Sequence, residues 1–222
     1  MPSARRINYL AQVALTSLRH DGLDFLSFWP LAHRSIPGWL TVRDARLLYA
    51  MAHHGPGRGA IVEIGSAWGK STVALGRGSK RARREPVHAI DPHTGDPWYL
   101  VESGIAPEQF SSLAGFQANI RRFRVDDWVV PVVATSTDAA RNLDVGPIRL
   151  LYIDGLHTYE GVRADIEAWT PRVVPGGLIV FDDYSNTNPG VGVRAAVDEL
   201  LSSGMVEPRL RVGELLTWTR RR

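Results

Sequence analysis

The feature that most constrains the fold of this chain is a regular alternation of short apolar runs with amphipathic stretches. The predicted strands are Ala60–Ile64, Val87–Asp91, Val129–Val133, Leu150–Asp154 and Leu178–Asp182. The predicted helices between them lie near Ser71–Ser79, Pro107–Arg121, Tyr159–Val173 and Val191–Ser203. Strands that alternate with helices predict an α/β fold, with a parallel sheet that helices cover on both faces.

The composition excludes several classes of function. The 222 residues suit one globular domain, and the absence of cysteine removes thiolate zinc sites, iron–sulfur clusters and cysteine nucleophiles. No run of about 18 apolar residues occurs, so we expect a cytoplasmic protein with no membrane span and no membrane partner. The net charge of +3 is small and the basic clusters lack interleaved aromatic residues, so nucleic-acid binding is not expected.

The first predicted strand ends in a turn between Gly65 and Gly69. Glycine lets the backbone turn tightly and approach a ligand, and the amides that open the following helix can donate hydrogen bonds to a carboxylate. The turn lacks both the G-x-G-x-x-G spacing of dinucleotide folds and the spacing of a phosphate-binding P-loop. Two glycines alone are weak evidence for any particular ligand.

Asp91 ends the second predicted strand, where nucleotide-binding α/β folds carry an acid that accepts hydrogen bonds from ribose hydroxyls. Taken alone, an aspartate followed by Pro92 is more often a helix cap or turn residue. Together with the glycine turn, and with Glu63 as a receptor for a ligand's ammonium, Asp91 favours a nucleoside site.

Two further apolar runs each finish in acid, at Asp154 and at the pair Asp182 and Asp183. If both runs are neighbouring buried strands, the three carboxylates converge at the carboxyl edge of the sheet. Carboxylates packed together raise one another's pKa unless a cation binds, so a hard ion such as Mg²⁺ is a natural partner. The alternative is that each acid caps the helix that follows it.

Taken together, these motifs resemble the metal-dependent class I O-methyltransferases from about residue 38 to about residue 200. The segments that carry the resemblance are the glycine turn after Glu63, Asp91, Ile153–His157, Trp169–Gly177, and Asp182–Tyr184 with Pro189–Val191. Within that group the chain is most similar to the branch that acts on sugars and antibiotics, which includes macrolide-sugar and cephalosporin-cluster enzymes. It is also similar to enzymes that methylate mycobacterial methylmannose polysaccharide.

The resemblance implies a Rossmann-like class I methyltransferase fold, with seven strands that are mostly parallel and an antiparallel C-terminal hairpin. The candidate hairpin strands are Arg209–Val212 and Glu214–Thr219, separated by Gly213. A dinucleotide dehydrogenase would instead continue with parallel units. The resemblance also implies S-adenosylmethionine as the methyl donor and a hydroxyl of a small molecule or oligosaccharide as the acceptor.

Donor and metal residues follow from the same resemblance. The donor-site residues are Glu63, Gly65, Ser66, Gly69, Ser71, Asp91 and Asp154. The implied Mg²⁺ ligands are Asp154, Asp182 and Asp183. Catechol-type enzymes carry asparagine at the last metal position, so Asp183 departs from that branch and agrees with the sugar branch.

His157 is the candidate catalytic base. Catechol-type enzymes have a lysine base three residues after the first metal aspartate, where this chain has His157, and some antibiotic-sugar enzymes have an aspartate where it has Leu156. We hypothesise that a neutral His157, with a pKa of about 6.5, takes the proton of a metal-bound hydroxyl, which then attacks the donor's methyl group. A lone histidine after a strand is more often a surface or capping residue.

Four residues are candidates for the acceptor pocket: His93, Trp98, Tyr99 and Tyr184. The first three lie in the aromatic segment after Asp91, where Trp98 and Tyr99 could stack on a sugar face. The equally weighted alternative is an ordinary surface loop anchored by Trp98.

The chain divides into an N-terminal helical extension, residues 1–40, and a methyltransferase domain, residues 41–222. The apolar extension is expected to cover the donor site as a lid or to contact a second subunit in a homodimer, and both remain open. Two other functions also remain open, a metal-dependent hydrolase and a catalytically silent S-adenosylmethionine-binding module. A hydrolase gives no reason for Glu63, the glycine turn and Asp91 to form a nucleoside site.

Overall fold

The computed structural model describes residues 22–188, 190–212 and 215–220, with side chains described except at positions 98, 99, 102 and from 208 onward. The strands are β1 (Ala60–Ile64), β2 (Val87–Ile90), β3 (Val129–Val132), β4 (Ile148–Ile153), β5 (Val173–Phe181), β6 (Val206–Val212) and β7 (Leu215–Arg220). The helices are α1 (Gly22–Ser35), α2 (Val42–His54), α3 (Lys70–Arg81), α4 (Pro97–Ser103), α5 (Leu113–Arg122), α6 (Ser136–Asn142), α7 (Tyr159–Trp169) and α8 (Val193–Ser202).

The strands form one sheet in the order β3-β2-β1-β4-β5-β7-β6. The first five strands of that order are parallel, while β7 is antiparallel to both β5 and β6. The order reverses direction between β1 and β4, which is where open α/β sheets bind their ligands.

The register aligns the carboxyl ends of four parallel strands. Ile64 of β1 pairs with Ile90 of β2 and with Ile153 of β4, and Ile153 pairs with Phe181 of β5. The residues that follow these four positions therefore leave the sheet side by side. They are Gly65, Asp91, Asp154 and Asp182.

The central strands are apolar on both faces because helices cover both faces. All five residues of β1 and all six of β4 are buried. Alternate residues face opposite sides of a sheet, so Ile61 joins a core with α1, α2, α3 and α5, and Val62 joins a second core with α6, α7 and α8.

Helix α1 is part of the first core. Its buried Phe25 and Trp29 stack at 5.5 Å, and Phe25 also meets Tyr49 of α2 edge-on at 5.7 Å. Asp24 accepts a hydrogen bond from the Tyr49 hydroxyl, 2.9 Å, and pairs with Arg77 of α3, 2.8 Å. These contacts attach α1 to the sheet's helical layer, and the division of the chain at residue 40 stays a prediction.

The predicted α/β Rossmann-like class is confirmed. Helix α2 is capped at its start by Thr41, whose hydroxyl accepts from the Asp44 amide. The boundaries of several elements differ from the predictions. The predicted helix 107–121 is a short 3-10 turn, Pro107–Gln109, followed by α5. Helices α4 and α6 were not predicted. No helix within the described ranges is long and apolar enough to cross a membrane.

Candidate functional site

The turn after β1 has a backbone that only glycine accommodates at Gly65. Gly65 has φ +86°, its amide donates to the Ile90 carbonyl at 2.9 Å, and a Cβ there would overlap the backbone oxygen of Asp154. Gly69 has φ +85°, and a Cβ there would lie 3.1 Å from the Phe116 ring. From the sequence, these glycines were expected to let the backbone approach a ligand. In the structure, their close neighbours are helix α5 and the residues that follow β4.

Glu63 lies fully buried directly before the turn. Its Oε2 accepts a hydrogen bond from the Thr72 hydroxyl at 2.5 Å, and Oε1 has no hydrogen-bond partner among the described residues. Burial raises the pKa of Glu63 most; Ser71 and Thr72 lower it by hydrogen bonding, and Asp154 and Asp91 raise it, to about 8. A cation brought to the open oxygen would therefore be strongly attracted once the proton is lost.

Asp91 fastens the turn to the end of β2. Its Oδ2 accepts from the Ala67 amide at 2.8 Å, and its Oδ1 accepts from the His93 amide at 2.6 Å. Each carboxylate oxygen has a second lone pair, so Asp91 can still accept hydrogen bonds from the hydroxyls of a ribose. The predicted ribose acid is thus also a structural part of the turn.

The structure brings the three predicted metal ligands and His157 together. The His157 Nε2 atom lies 3.4 Å from Asp154 Oδ1 and 3.6 Å from Asp183 Oδ2. Burial raises the pKa of Asp182 well above its usual value, and the neighbouring Asp154 and Asp183 raise it further. Tyr152, two residues before Asp154 on the same face of β4, donates its hydroxyl to Asp154 Oδ2 at 2.9 Å.

The charge state of His157 differs from the sequence expectation. Burial lowers its pKa, but the adjacent Asp154, and then Asp183 and Asp96, raise it to about 9. The histidine is therefore an imidazolium at neutral pH when no other cation is near, and the expected neutral ring with a pKa of about 6.5 is wrong for this state. The contribution of Asp96 also shows that the segment after β2 reaches the acidic residues.

The chemistry of the donor set suits a hard cation, because all three acids offer carboxylate oxygens and repel one another. Asp154 and Asp183 nevertheless lie against His157, and Asp182 interacts with Asp154. Over the part of the chain that the structure describes, no group of three or more aspartates, glutamates or histidines is arranged to hold a metal ion.

The acceptor candidates are not all placed where the sequence argument expected them. His93 is only 2% exposed, so an acceptor cannot reach its ring in this arrangement. The Tyr184 hydroxyl donates to Asp198 of α8 at 2.7 Å, and the ring stacks with Arg194 at 5.4 Å, so its polar end is held by α8. Trp98 and Tyr99 belong to α4 by backbone, and their side chains lie outside the described residues.

Two neighbouring charged residues were not singled out by the sequence argument. Asp44 is 2% exposed, its Oδ1 lacks a hydrogen-bond partner within the described part of the chain, and its charge contributes to the raised pKa of Asp182. Lys70 opens α3 and donates to the Gly38 carbonyl at 2.6 Å. Asp44 lies in the first turn of α2 and Lys70 directly follows the glycine turn, and neither position matches a motif that indicates a place in the site.

A surface cavity of about 600 Å³ lies at the opposite edge of the sheet. Its lining includes Pro147 before β4 and Val173 at the start of β5, together with Arg141 and Arg172. Arg172 is already engaged, because it donates to the carbonyls of Leu143 and Ala140. This cavity contains none of the predicted site residues.

Comparison with known proteins identifies the family of this chain. The family described as "Methyltransferase domain" matches residues 62–184, from β1 to the acidic pair after β5. A curated relative, the uncharacterized protein y4gI of Sinorhizobium fredii, is 36% identical over 59 residues, which are 27% of this chain and 6% of that protein. The chain therefore spans only a small part of the length of that relative.

Solved structures with this fold include two O-methyltransferases. NovP is 22% identical with a TM-score of 0.61, covering 74% of this chain and 72% of its own. TomG from Streptomyces achromogenes, involved in tomaymycin synthesis and solved with S-adenosylmethionine, is 17% identical with a TM-score of 0.61, covering 89% and 90%. At these identities the likeness establishes the fold alone.

Proposed function

The chain belongs to the methyltransferase domain family, and from this membership we propose that it is an S-adenosylmethionine-dependent O-methyltransferase that acts on a hydroxyl of a sugar or saccharide-containing metabolite. The observation that carries the proposal is the shared row of strand ends. Because Ile64, Ile90 and Ile153 pair in one row, the glycine turn, Asp91 and the Asp154–His157 segment adjoin one another. A donor in the turn is therefore next to a base.

The donor site is assigned to the turn and its neighbours. The open oxygen of Glu63 suits the donor's ammonium, and the amides at the start of α3 suit its carboxylate. Ser66 supports this assignment, because its buried hydroxyl has no hydrogen-bond partner among the described residues. Asp91 holds the ribose, and Ser71, which lies near Glu63 at the start of α3, completes the site.

The chemistry proceeds by in-line substitution. The acceptor oxygen forms a bond to the donor's methyl carbon as the carbon–sulfur bond breaks. The electron pair of the carbon–sulfur bond goes to sulfur, which leaves S-adenosylhomocysteine with a neutral sulfur. The hydroxyl proton goes to His157, which contributes typically 10²–10⁴-fold as a general base. A positive charge thus disappears from sulfur and appears on His157, where Asp154 and Asp183 stabilise it.

Binding of the donor itself favours loss of the proton that His157 carries before catalysis. A sulfonium close to the imidazolium is a like charge, and like charges disfavour the protonated form of histidine. Donor binding is therefore expected to lower the pKa of His157 and to produce the neutral base. The negative charges of the three carboxylates offset part of the repulsion between the sulfonium and the imidazolium, so the donor can still bind.

Dependence on Mg²⁺ is proposed from the chemistry of the three carboxylates. Asp154, Asp182 and Asp183 would hold the ion, and when bound it would favour the ionised form of the acceptor hydroxyl. The carboxylate chemistry supports this assignment, while the present side-chain arrangement does not. The role of His157 described above requires no metal.

The sugar acceptor is proposed from the likeness of the acidic segment to the sugar-modifying branch. Asp183 agrees with that branch, and the aromatic segment that includes Trp98 and Tyr99 follows the donor acid directly. Flat aromatic rings with nearby polar groups form the mixed surface that binds small molecules in concave sites.

The proposal is tested by two measurements on the full chain. Calorimetry with S-adenosylhomocysteine measures donor-site binding, and transfer of a labelled methyl group to a panel of mono- and oligosaccharides measures activity, each with Mg²⁺ and with a chelator. We expect donor-product binding under both conditions and methyl transfer to at least one saccharide. Binding without transfer to any hydroxylated acceptor would indicate a silent binding module, and no binding would reject the donor site.

A further inference from the structure

We propose that His93 is a positioning residue for the methyl donor, which holds the turn Ser66–Gly69 in its binding shape by connecting Asp91 to helix α5. This inference deepens the proposed function and rests on it. It also replaces the sequence assignment of His93 to the acceptor.

The backbone of His93 is held in an unfavourable conformation. Its φ is +58°, in the left-handed region that costs a residue with a Cβ roughly 1–2 kcal/mol. Two hydrogen bonds retain it there: the His93 amide donates to Asp91 Oδ1 at 2.6 Å, and its carbonyl accepts from the Ser112 amide at 3.2 Å. Strain of this kind persists where the surroundings over-determine it, often next to a ligand site.

The imidazole of His93 is fixed just as closely. Its Nδ1 lies 2.8 Å from the Ser112 hydroxyl, and the ring lies 5.1 Å from the ring of Phe116, which contacts Gly69. The ring also lies against the backbone of Ala67, whose amide is bound by Asp91. Ala67 itself has φ +42°, so the centre of the turn is a strained residue held between Asp91 and His93.

Helix α5 forms the rear support of the same turn. Asn119 donates to the Trp68 carbonyl at 2.9 Å, and the Trp68 ring covers Gly115, where a Cβ would lie 2.6 Å from the ring. Phe116 of the same helix lies against Gly69. Helix α5 therefore contacts two successive residues of the turn, Trp68 and Gly69. His93 is the residue that joins this helix to the carboxylate proposed to bind the ribose.

The test compares His93→Ala with His88→Ala. His88 is a matched control, because it is a half-buried histidine within β2, paired in register with Val62 and Val130 and two residues before the end of the strand. The readouts are the dissociation constant for S-adenosylhomocysteine, the donor KM, the acceptor KM, kcat and the midpoint of thermal unfolding. We expect His93→Ala to weaken donor-product binding and raise the donor KM by roughly tenfold or more, with kcat at saturating donor within about threefold of wild type.

Two further variants keep the inference testable if His93→Ala folds poorly. Ser112→Ala removes the imidazole's partner and leaves the histidine, so it should weaken donor-product binding by a smaller factor in the same direction. His93→Asn tolerates the left-handed backbone and should recover part of the donor affinity that His93→Ala loses.

Three results would overturn the inference. One is donor affinity at the wild-type level in both His93→Ala and Ser112→Ala. Another is an equal loss of affinity in His93→Ala and His88→Ala, which would indicate general destabilisation. The third is a raised acceptor KM with an unchanged donor KM, which would return His93 to the acceptor pocket. Absence of binding by the wild-type chain would instead reject the proposed function, so the two failures are distinguishable.

Discussion

The donor side and the acidic side of this site are built in different ways. On the donor side, backbone hydrogen bonds and left-handed residues set the shape of the turn, and close packing by β4 and α5 leaves little room for change. On the acidic side, His157 and three aspartates are held by opposing charges, and their protonation depends on what else is bound. Changes in shape should therefore damage the first side, and changes in charge the second.

The largest loss of stability at neutral pH is expected from Gly65→Ala. The added Cβ would overlap the backbone of Asp154 and impose a left-handed alanine, so the free energy of unfolding should fall by at least about 3 kcal/mol. Gly146→Ala is the matched control, because Gly146 has φ +67° and open space around it, and should cost only about 1 kcal/mol. Urea denaturation measures both. Equal losses would mean that backbone conformation alone, and not packing against β4, determines the donor turn.

His157→Ala tests the acidic side without touching the turn. Turnover should fall by roughly 10²–10⁴-fold while the dissociation constant for S-adenosylhomocysteine stays within about threefold of the wild-type value. The control is His33→Ala, an exposed histidine on α1. Turnover near the wild-type level in His157→Ala would show that the acids act without this base.

Glu63 lies where the two sides meet, and its titration should be visible in stability. The folded-state pKa of about 8 is above the unfolded value of 4.5, so the protonated carboxyl stabilises the fold below pH 4.5 and this contribution is lost as pH rises through about 8. Glu63→Gln should lack the loss, so the difference in unfolding free energy between wild type and variant should change by up to about 5 kcal/mol between pH 4.5 and pH 9. A constant difference across this range would mean that Glu63 is ionised throughout.

Asp165 is expected to show the same pH-dependent loss of stability, at lower pH and with a smaller change in unfolding free energy. It lies behind the acidic segment, with Oδ2 at 3.3 Å from the position of a Cβ on Gly155, and burial raises its pKa to about 6 from 3.8. Its stabilising contribution is therefore lost as pH rises from about 4 through 6. Asp165→Asn should remove up to about 3 kcal/mol of pH dependence in unfolding free energy. Unchanged pH dependence in this window would assign the titration to other carboxyls.

The sheet was the more predictable part of the molecule, because a buried parallel strand needs a continuous apolar run that is visible in the sequence. Ile148–Ile153 illustrates this, since every residue is buried. Helix α6 was missed although Thr135 and Asp138 cap it in the same way that Thr41 and Asp44 cap α2. With only seven residues, it offers too little periodicity for a helix to be recognised.

The acids of the site could be located from the sequence, but their environments could not. Aspartates at strand ends indicated an edge at which carboxylates meet, and the structure brings them together. Asp154, three residues before His157, raises the pKa of the histidine most, and that part lies within one segment of the sequence. The further contributions come from Asp183 and Asp96 in other loops, which no local pattern contains. The hydrogen bond of His93 likewise joins it to Ser112, 19 residues further along the chain.

The aligned strand ends have a consequence for how such an enzyme can change its substrate. Neighbouring strands lie about 4.8 Å apart, so the separation between the donor turn and the acidic residues is dictated by the sheet and is independent of the loops that surround an acceptor. Replacing or lengthening those loops can alter which molecule is accepted while the distance over which the methyl group travels remains the same. In this arrangement the loops determine the choice of acceptor and the sheet determines the transfer geometry, so the two can change independently.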